Sequence, residues 1–291
     1  MTTVVSGILY IVATPIGNLA DISARARDTL GAVSRIAAED TRHTAQLLRA
    51  LGLEKPLLSL HEHNERERTA ALIGDLLNGD SLALVSDAGT PLVADPGFAL
   101  VRAAQEAGIR VVPIPGACAA IAALSVAGLA TDRFCFEGFL PAKSVARRAR
   151  LDGLKGEQRT LVFYEAPHRI AETLADLLAV FGNRRVAVAR ELTKLHETVY
   201  HGDLAALAAQ AEVDPDLRRG EIVVVVDGAA EASDDGAAEL ERLLRALLAD
   251  LPVSRAVDIA VEISGARRNV AYRTALRLDT ARSGGDAPDG A

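Results

Sequence analysis

Short apolar runs of four to seven residues alternate with amphipathic stretches of ten to fifteen along most of this chain, and that alternation permits few architectures. Strand followed by helix, repeated, predicts βα units and a mostly parallel sheet covered by helices. Strands are expected over 8–13, 34–38, 56–60, 81–86 and 109–114, with helices near 22–32, 42–51, 65–78 and 97–107. A helix over 116–127 and a connection over 128–132 then lead to further strands at 134–138, 160–164, 186–190, 197–201 and 221–226. The expected organisation is one α/β domain over 1–115 and a second over 116–228. The small, acidic segment 229–236 has the composition of a linker. Helical patterns over 237–249, 253–263 and 266–277 make a helix-turn-helix-like module of 237–278, and the Gly-, Asp- and Pro-rich tail 279–291 is expected to be disordered.

Nearly half the residues are apolar but only 3% are aromatic and none is tryptophan, so the core must be built from Ala, Val, Leu and Ile. A formal charge of −7 excludes a global positive field, and any nucleic-acid contact has to be local. Cys118 and Cys135 lack the spacing of a metal site or a disulfide framework, which suits a reducing cytoplasm. No apolar run reaches membrane-spanning length and no leader pattern opens the chain, so a soluble protein is expected.

Three strand ends break in the same unusual way. The strand 8–13 runs into Thr14-Pro15-Ile16-Gly17-Asn18, the strand 81–86 into Asp87-Ala88-Gly89-Thr90-Pro91-Leu92-Val93-Ala94-Asp95-Pro96-Gly97, dense in glycine, proline and acid, and the strand 109–114 into Pro115-Gly116-Ala117-Cys118-Ala119. Glycine lets backbone approach a ligand, proline fixes the turn, and ligands of open α/β sheets gather where loops leave the carboxyl ends of strands. Neither a G-x-x-x-x-G-K-[ST] loop nor a G-x-G-x-x-G turn is present, which removes support for nucleotide hydrolysis and standard dinucleotide binding.

Charged residues cluster at other strand exits. Glu39, Asp40 and Arg42 follow the second strand; Asp40 or Thr41 has the chemistry of a helix cap, whereas Arg42 has no local duty and suits an RNA or transition-state contact. His61, His63 and Asn64 follow the third strand; the two histidines lack a third ligand nearby, so a metal is not expected, and Asn64 has a helix cap as its alternative role. Glu165, His168 and Arg169 follow the strand ending at Tyr164. Glu191 and Lys194 follow the strand ending at Arg190, and Lys194 is one of only four lysines beside 28 arginines. It suits a base if neutral, a phosphate contact if charged, or an ion pair with Glu191 or Glu197. Lys143, Arg147, Arg148 and Arg150 form a basic run, and Arg267, Arg268, Arg273 and Arg277 another that is either a solvated face or an RNA contact.

The segments Thr14–Asn18, Ala38–Arg42, Ser86–Pro91, Pro113–Gly116, Tyr164–Arg169 and Ala189–Lys194 together resemble the tetrapyrrole methylase superfamily, in order and with consistent spacing. They resemble most its bacterial ribosomal branch, which methylates the ribose 2′-hydroxyl of a cytidine in 16S ribosomal RNA. The resemblance implies two α/β domains with a cofactor cleft between them, a small C-terminal helical module, a homodimer, and S-adenosylmethionine as donor. It implies Pro15, Gly17, Asp87, Gly89, Thr90, Pro91, Val93, Cys118, Ala119, Leu140 and Tyr164 as donor contacts. Arg42, Lys194 and Glu191 become candidates for the chemistry. Arg42, His61, His63, Asn64, His168, Arg169, Lys143, Arg147 and Arg148 become candidates for holding RNA of the small ribosomal subunit. Cys118 stands where the superfamily often has serine, and a thiol is the weaker hydrogen-bonding group. A corrin or porphyrin carbon as acceptor, or a non-catalytic RNA-binding protein on the same fold, are the competing functions.

Overall fold

The computed structural model describes residues 6–61, 63–230 and 234–283. They form two compact units, divided at Ala229 and Ala230. The first unit carries two five-stranded sheets.

In the first sheet β1 (Ile8–Val12), β2 (Arg35–Ala38), β3 (Leu57–Ser59), β4 (Leu82–Val85) and β5 (Arg110–Ile114) are all parallel, in the order β3-β2-β4-β1-β5. The period of two decides which side chain covers which face. Ala83 and Val85 of β4 pack with Ala26 and Leu30 of α1 (Ala24–Ala32) and Leu48 of α2 (Thr41–Ala50). Leu82 and Leu84 turn the other way, toward Leu72 and Leu76 of α3 (Glu65–Leu77) and Leu100 and Ala104 of α4 (Phe98–Glu106).

The second sheet departs from the expected parallel arrangement. Its strands are β6 (Phe134–Phe139), β7 (Thr160–Glu165), β8 (Arg185–Arg190), β9 (Thr198–Asp203) and β10 (Ile222–Val226), in the order β6-β7-β10-β8-β9. Only β6 and β7 pair in parallel; β10 lies antiparallel between β7 and β8, and β9 is antiparallel to β8. A short buried run such as Ile222–Val226 is apolar on both faces whichever way it points, so its composition does not reveal its direction. α5 (Ala119–Val126) covers one face through Ala120, Ala123 and Leu124. α6 (Ser144–Asp152), α7 (Ile170–Phe181) and α8 (Leu204–Val213) cover the other.

The second unit contains α9 (Asp234–Leu248), α10 (Val253–Ser264) and α11 (Arg268–Ser283). Leu240, Leu244 and Leu248 form a stripe at i, i+4 and i+8 that meets Ala256, Val257, Ala260, Ala271 and Ala275. Gly265, at φ +67°, closes α10 in the left-handed cap conformation and turns the chain into α11. α11 runs through 279–283, where the disordered tail was expected to begin; 284–291 lie outside the described residues, as do 231–233 of the expected linker. Among the described residues, no helix is long and apolar enough to cross a membrane.

One member of the basic run over 143–150 proves to be structural. The Arg147 side chain is fully buried; its Nε donates to Asp176 Oδ2 at 2.6 Å, with further bonds to Glu172 and the Ala142 carbonyl. Arg148 and Ser144 donate to the same carboxylate. α6 buries Arg147 and Leu151, one turn apart, so position 147 faces the protein and cannot reach a phosphate. Burial opposes the Asp176 charge, but these donors outweigh it and hold its carboxyl below the ordinary range. Removing one partner of a buried pair strands the other charge. Arg147→Ala is expected to cost about 3–5 kcal/mol, measured as a lowered midpoint in urea unfolding; an unchanged midpoint would refute the assignment.

Candidate active site

The strand order places β4, β1 and β5 side by side, so the three glycine- and proline-rich turns emerge as neighbours along one edge. They are also bonded to one another. Thr14 and Gly89 exchange backbone hydrogen bonds of 2.9 and 3.1 Å, and Thr90 Oγ1 donates to the Ala117 carbonyl at 3.0 Å. Gly89 sits at φ +82°, a conformation that strains any other residue, and a Cβ there would lie a tight 3.3 Å from Ile16.

Facing this floor is the carboxyl end of the second sheet, and between them lies a cavity of about 330 Å³. Ile16, Gly89, Thr90, Val93, Asp95 and Ala119 line it from below. Phe139, Tyr164, Glu165, Ala189, Leu192 and Val223 line it from above. Because β10 runs antiparallel, its first residues reach this same end, where Ile222 pairs with both Glu165 and Arg190, and Glu221 joins the lining. Tyr164 bridges the halves, accepting the Ala120 amide at 3.3 Å on its hydroxyl. Its ring stands edge-on to Phe136 and Phe139, and burial pushes its ionisation upward.

The expected donor contacts Gly89, Thr90, Val93, Ala119 and Tyr164 are thus lining residues. Others are not part of the lining. Leu140 is buried in the core of the second sheet, and Cys118 packs at the start of α5. Pro15, Gly17, Asp87 and Pro91 are likewise outside the lining. Asp87 accepts the Asp40 amide at 3.0 Å and so ties the β4 exit to the β2 exit. Asp95 lies in the acid-, glycine- and proline-dense stretch after β4, whereas Glu221 was not singled out from the sequence and arrives through the reversed strand.

The loops after β4 and β8 are strained. Leu92, Ala94, Glu191 and Thr193 have φ between +53° and +72°, and among the described residues no other non-glycine shares that conformation. Such residues cost about 1–3 kcal/mol each and collect at functional sites. The β8 loop is pinned by Lys194, whose Nζ binds Glu191 at 2.8 Å and Glu221 at 3.2 Å. The Lys194 stem lies over Gly17, where any Cβ would run into it. Burial disfavours the Lys194 charge, but the two carboxylates outweigh it and raise the pKa. Glu191 is held low by the same contacts against its own burial. These two ion pairs favour the ammonium form of Lys194 over the neutral base.

The remaining charged candidates lie outside the lining. Asp40 caps α2 by accepting the Arg42 amide at 2.8 Å, and the Arg42 guanidinium forks back onto the same carboxylate. Arg42 thus has the local partner that its sequence position did not suggest, while staying exposed. Asp40, His43 and Asp87 bring one ligand-type atom each within 4.8 Å, but the Asp40 carboxylate is already engaged by Arg42. Asn64 accepts the His61 amide and donates to the Ser59 carbonyl instead of capping α3. His61 is half-buried beside the exposed His63, with ring centres 6.0 Å apart. Arg169 holds the Leu140 and Pro141 carbonyls and the buried Glu165, a structural duty; His168 and Lys143 are exposed.

Residues 8–208 match the model of the tetrapyrrole (corrin/porphyrin) methylases, and residues 234–279 match the RsmI C-terminal HTH domain. The chain belongs to the tetrapyrrole methylases. Within them it groups with proteins named ribosomal RNA small subunit methyltransferase I. It is 57% identical to the one from Xylella fastidiosa strain Temecula1 over 91% of this chain and 98% of that protein. It is 54% identical to the one from Pseudomonas aeruginosa over 94% and 98%. Among solved structures it resembles the methyltransferase CobJ, with a TM-score of 0.58 at 21% identity over 77% of this chain and 95% of that one. Diphthine synthase follows with 0.57 at 17% over 76% and 90%. Those two likenesses establish the fold alone.

Burial, reinforced by the neighbouring Asp87 charge, raises the Asp95 pKa above its ordinary value. A raised carboxyl penalises the fold once it ionises, so the cost is present above the folded pKa and absent below the unfolded value of 3.8. Asp95→Asn is therefore expected to raise the thermal midpoint at pH 7, with the gain closing as the pH falls below 4. A gain independent of pH would show that the charge is not its cause.

Proposed function

We propose that this chain transfers a methyl group from S-adenosylmethionine to the ribose 2′-hydroxyl of a cytidine in small-subunit ribosomal RNA. The observation that carries the reading is full-length similarity, through both units, to proteins named for methylating that RNA, combined with a cavity built for the donor. The fit rests on three features: apolar walls for an adenosyl group, a side-chain-free approach at Gly89, and the carboxylates of Asp95 and Glu221 in the lining. When bound, the donor supplies a methyl group on a positively charged sulfur, which those carboxylates complement.

The protein's share of the work is positioning. Gly89, Thr90, Val93 and Ala119 hold the donor from the first sheet, with Tyr164 and Val223 opposite. Glu191 and Lys194 set the loop that carries Leu192 into the lining. Arg42, exposed at the exit next to Asp87, is the cation best placed to meet an RNA phosphate or the developing negative charge, with His63, His168 and Lys143 as further surface contacts. A cytoplasmic homodimer follows from the same reading.

The test offers purified protein and isotopically labelled donor to small ribosomal subunits lacking the modification, with uroporphyrinogen in parallel, and maps the label by nucleoside mass spectrometry. Label on a cytidine ribose supports the proposal; label on the tetrapyrrole, or on neither, ends it. Arg42→Ala is expected to lower transfer at least tenfold, the scale of one charge-assisted hydrogen bond. Donor affinity measured by calorimetry should stay within about twofold, and a matching fall in both would remove Arg42 from the RNA side.

A further inference from the structure

A chain with six phenylalanines, four tyrosines and no tryptophan leaves the ring of Phe139 58% exposed at the rim of the cavity. The backbone is specifically bent to put it there. In β6, Phe136 pairs with Val162 and Phe139 with Tyr164, so residues three apart on one strand match residues two apart on its neighbour. The extra residue is taken up by a bulge between Phe136 and Gly138, with Gly138 at φ +64°. Regular alternation would send Phe136 and Phe139 to opposite faces; the bulge returns both to the face of Tyr164. Their rings flank it edge-on, with centres 4.8 and 5.6 Å away. Tyr164 fixes the Phe139 ring from one side and leaves the rest of it open.

We propose that Phe139 is a stacking platform for a nucleobase of the RNA substrate, an assignment that rests on the function proposed above. An aromatic ring left more than half exposed offers a surface to a base, and such stacking tolerates any base because each has a π face. Within the wall contributed by the second sheet, Ala189, Ile222 and Val223 are buried, whereas Phe139 stands at the solvent margin where a second ligand would enter. Exposed Lys143 follows four residues later on the same strand exit; Arg148 and Arg150 of α6 are instead engaged by Asp176 and Glu137. An exposed aromatic surface at the mouth of a cavity suits an unstacked base of single-stranded nucleic acid.

Phe139→Trp makes a protein with a single tryptophan at the point in question, and stacking of a base on it quenches its emission. Cytidine hexanucleotide added to that variant, already saturated with S-adenosylhomocysteine, is expected to quench the emission further. Quenching by the small molecule alone with nothing added by the oligonucleotide would assign the ring to the donor, and no quenching by either would remove the platform; both overturn the proposal. In Phe139→Ala the KM for small subunits should rise about tenfold or more with donor affinity within twofold, and Phe139→Tyr should restore it. An unchanged KM counts against the platform. Wild-type transfer to subunits is scored separately: transfer without quenching sinks the platform and keeps the function, and quenching without transfer does the reverse.

Discussion

Two backbone hydrogen bonds between Thr14 and Gly89 hold the first and second of the three turns together, and the arrangement of the cavity depends on them. Parallel neighbours bring turns to one edge, but adjacency alone leaves loops free to splay. Here the exchange between Thr14 and Gly89 extends the sheet by one bridge beyond β1 and β4, and the Thr90 hydroxyl carries the connection on to Ala117. Each bond contributes only about 1 kcal/mol net to stability. Their effect is positional: they set backbone, not mobile side chains, opposite Tyr164. A floor built this way holds residue 89 at φ +82°, which accounts for the glycine there.

The opposite wall is assembled by another principle. Antiparallel insertion of β10 delivers the start of one strand to the ends of two others, so Glu221 and Val223 line the cavity beside Ala189 and Glu165. Loops that make this geometry carry left-handed residues without glycine, and the Lys194 ion pairs restrain one of them. Strain in those loops is offset by the well-packed faces on either side of both sheets.

The parts of this arrangement that were legible in the sequence are local ones. Glycine and proline punctuation marked the three turns because φ and steric demands act residue by residue. Periodicity placed every strand, and six ordered motifs suggested the family. Direction of a buried strand is not local, which hid the mixed second sheet and with it Glu221. Arg147 belonged to a basic run by composition, and only its place one turn before Leu151 on the inner face of α6 made it structural. Asp176, an acid among the buried residues of α7, is the one local sign of that pairing. The Arg42 fork onto its own helix cap required knowledge of the cap itself.

The carboxylates around the cavity have one further consequence. Glu39 and Asp95 both titrate high because burial and neighbouring acids, Asp87 among them, crowd negative charge near the β4 exit. On the proposed reaction, that crowding is relieved when a cation enters and returns once its uncharged remnant is left behind. Turnover then acquires a built-in asymmetry: attraction on arrival fades with the chemistry itself, and the spent molecule is free to depart.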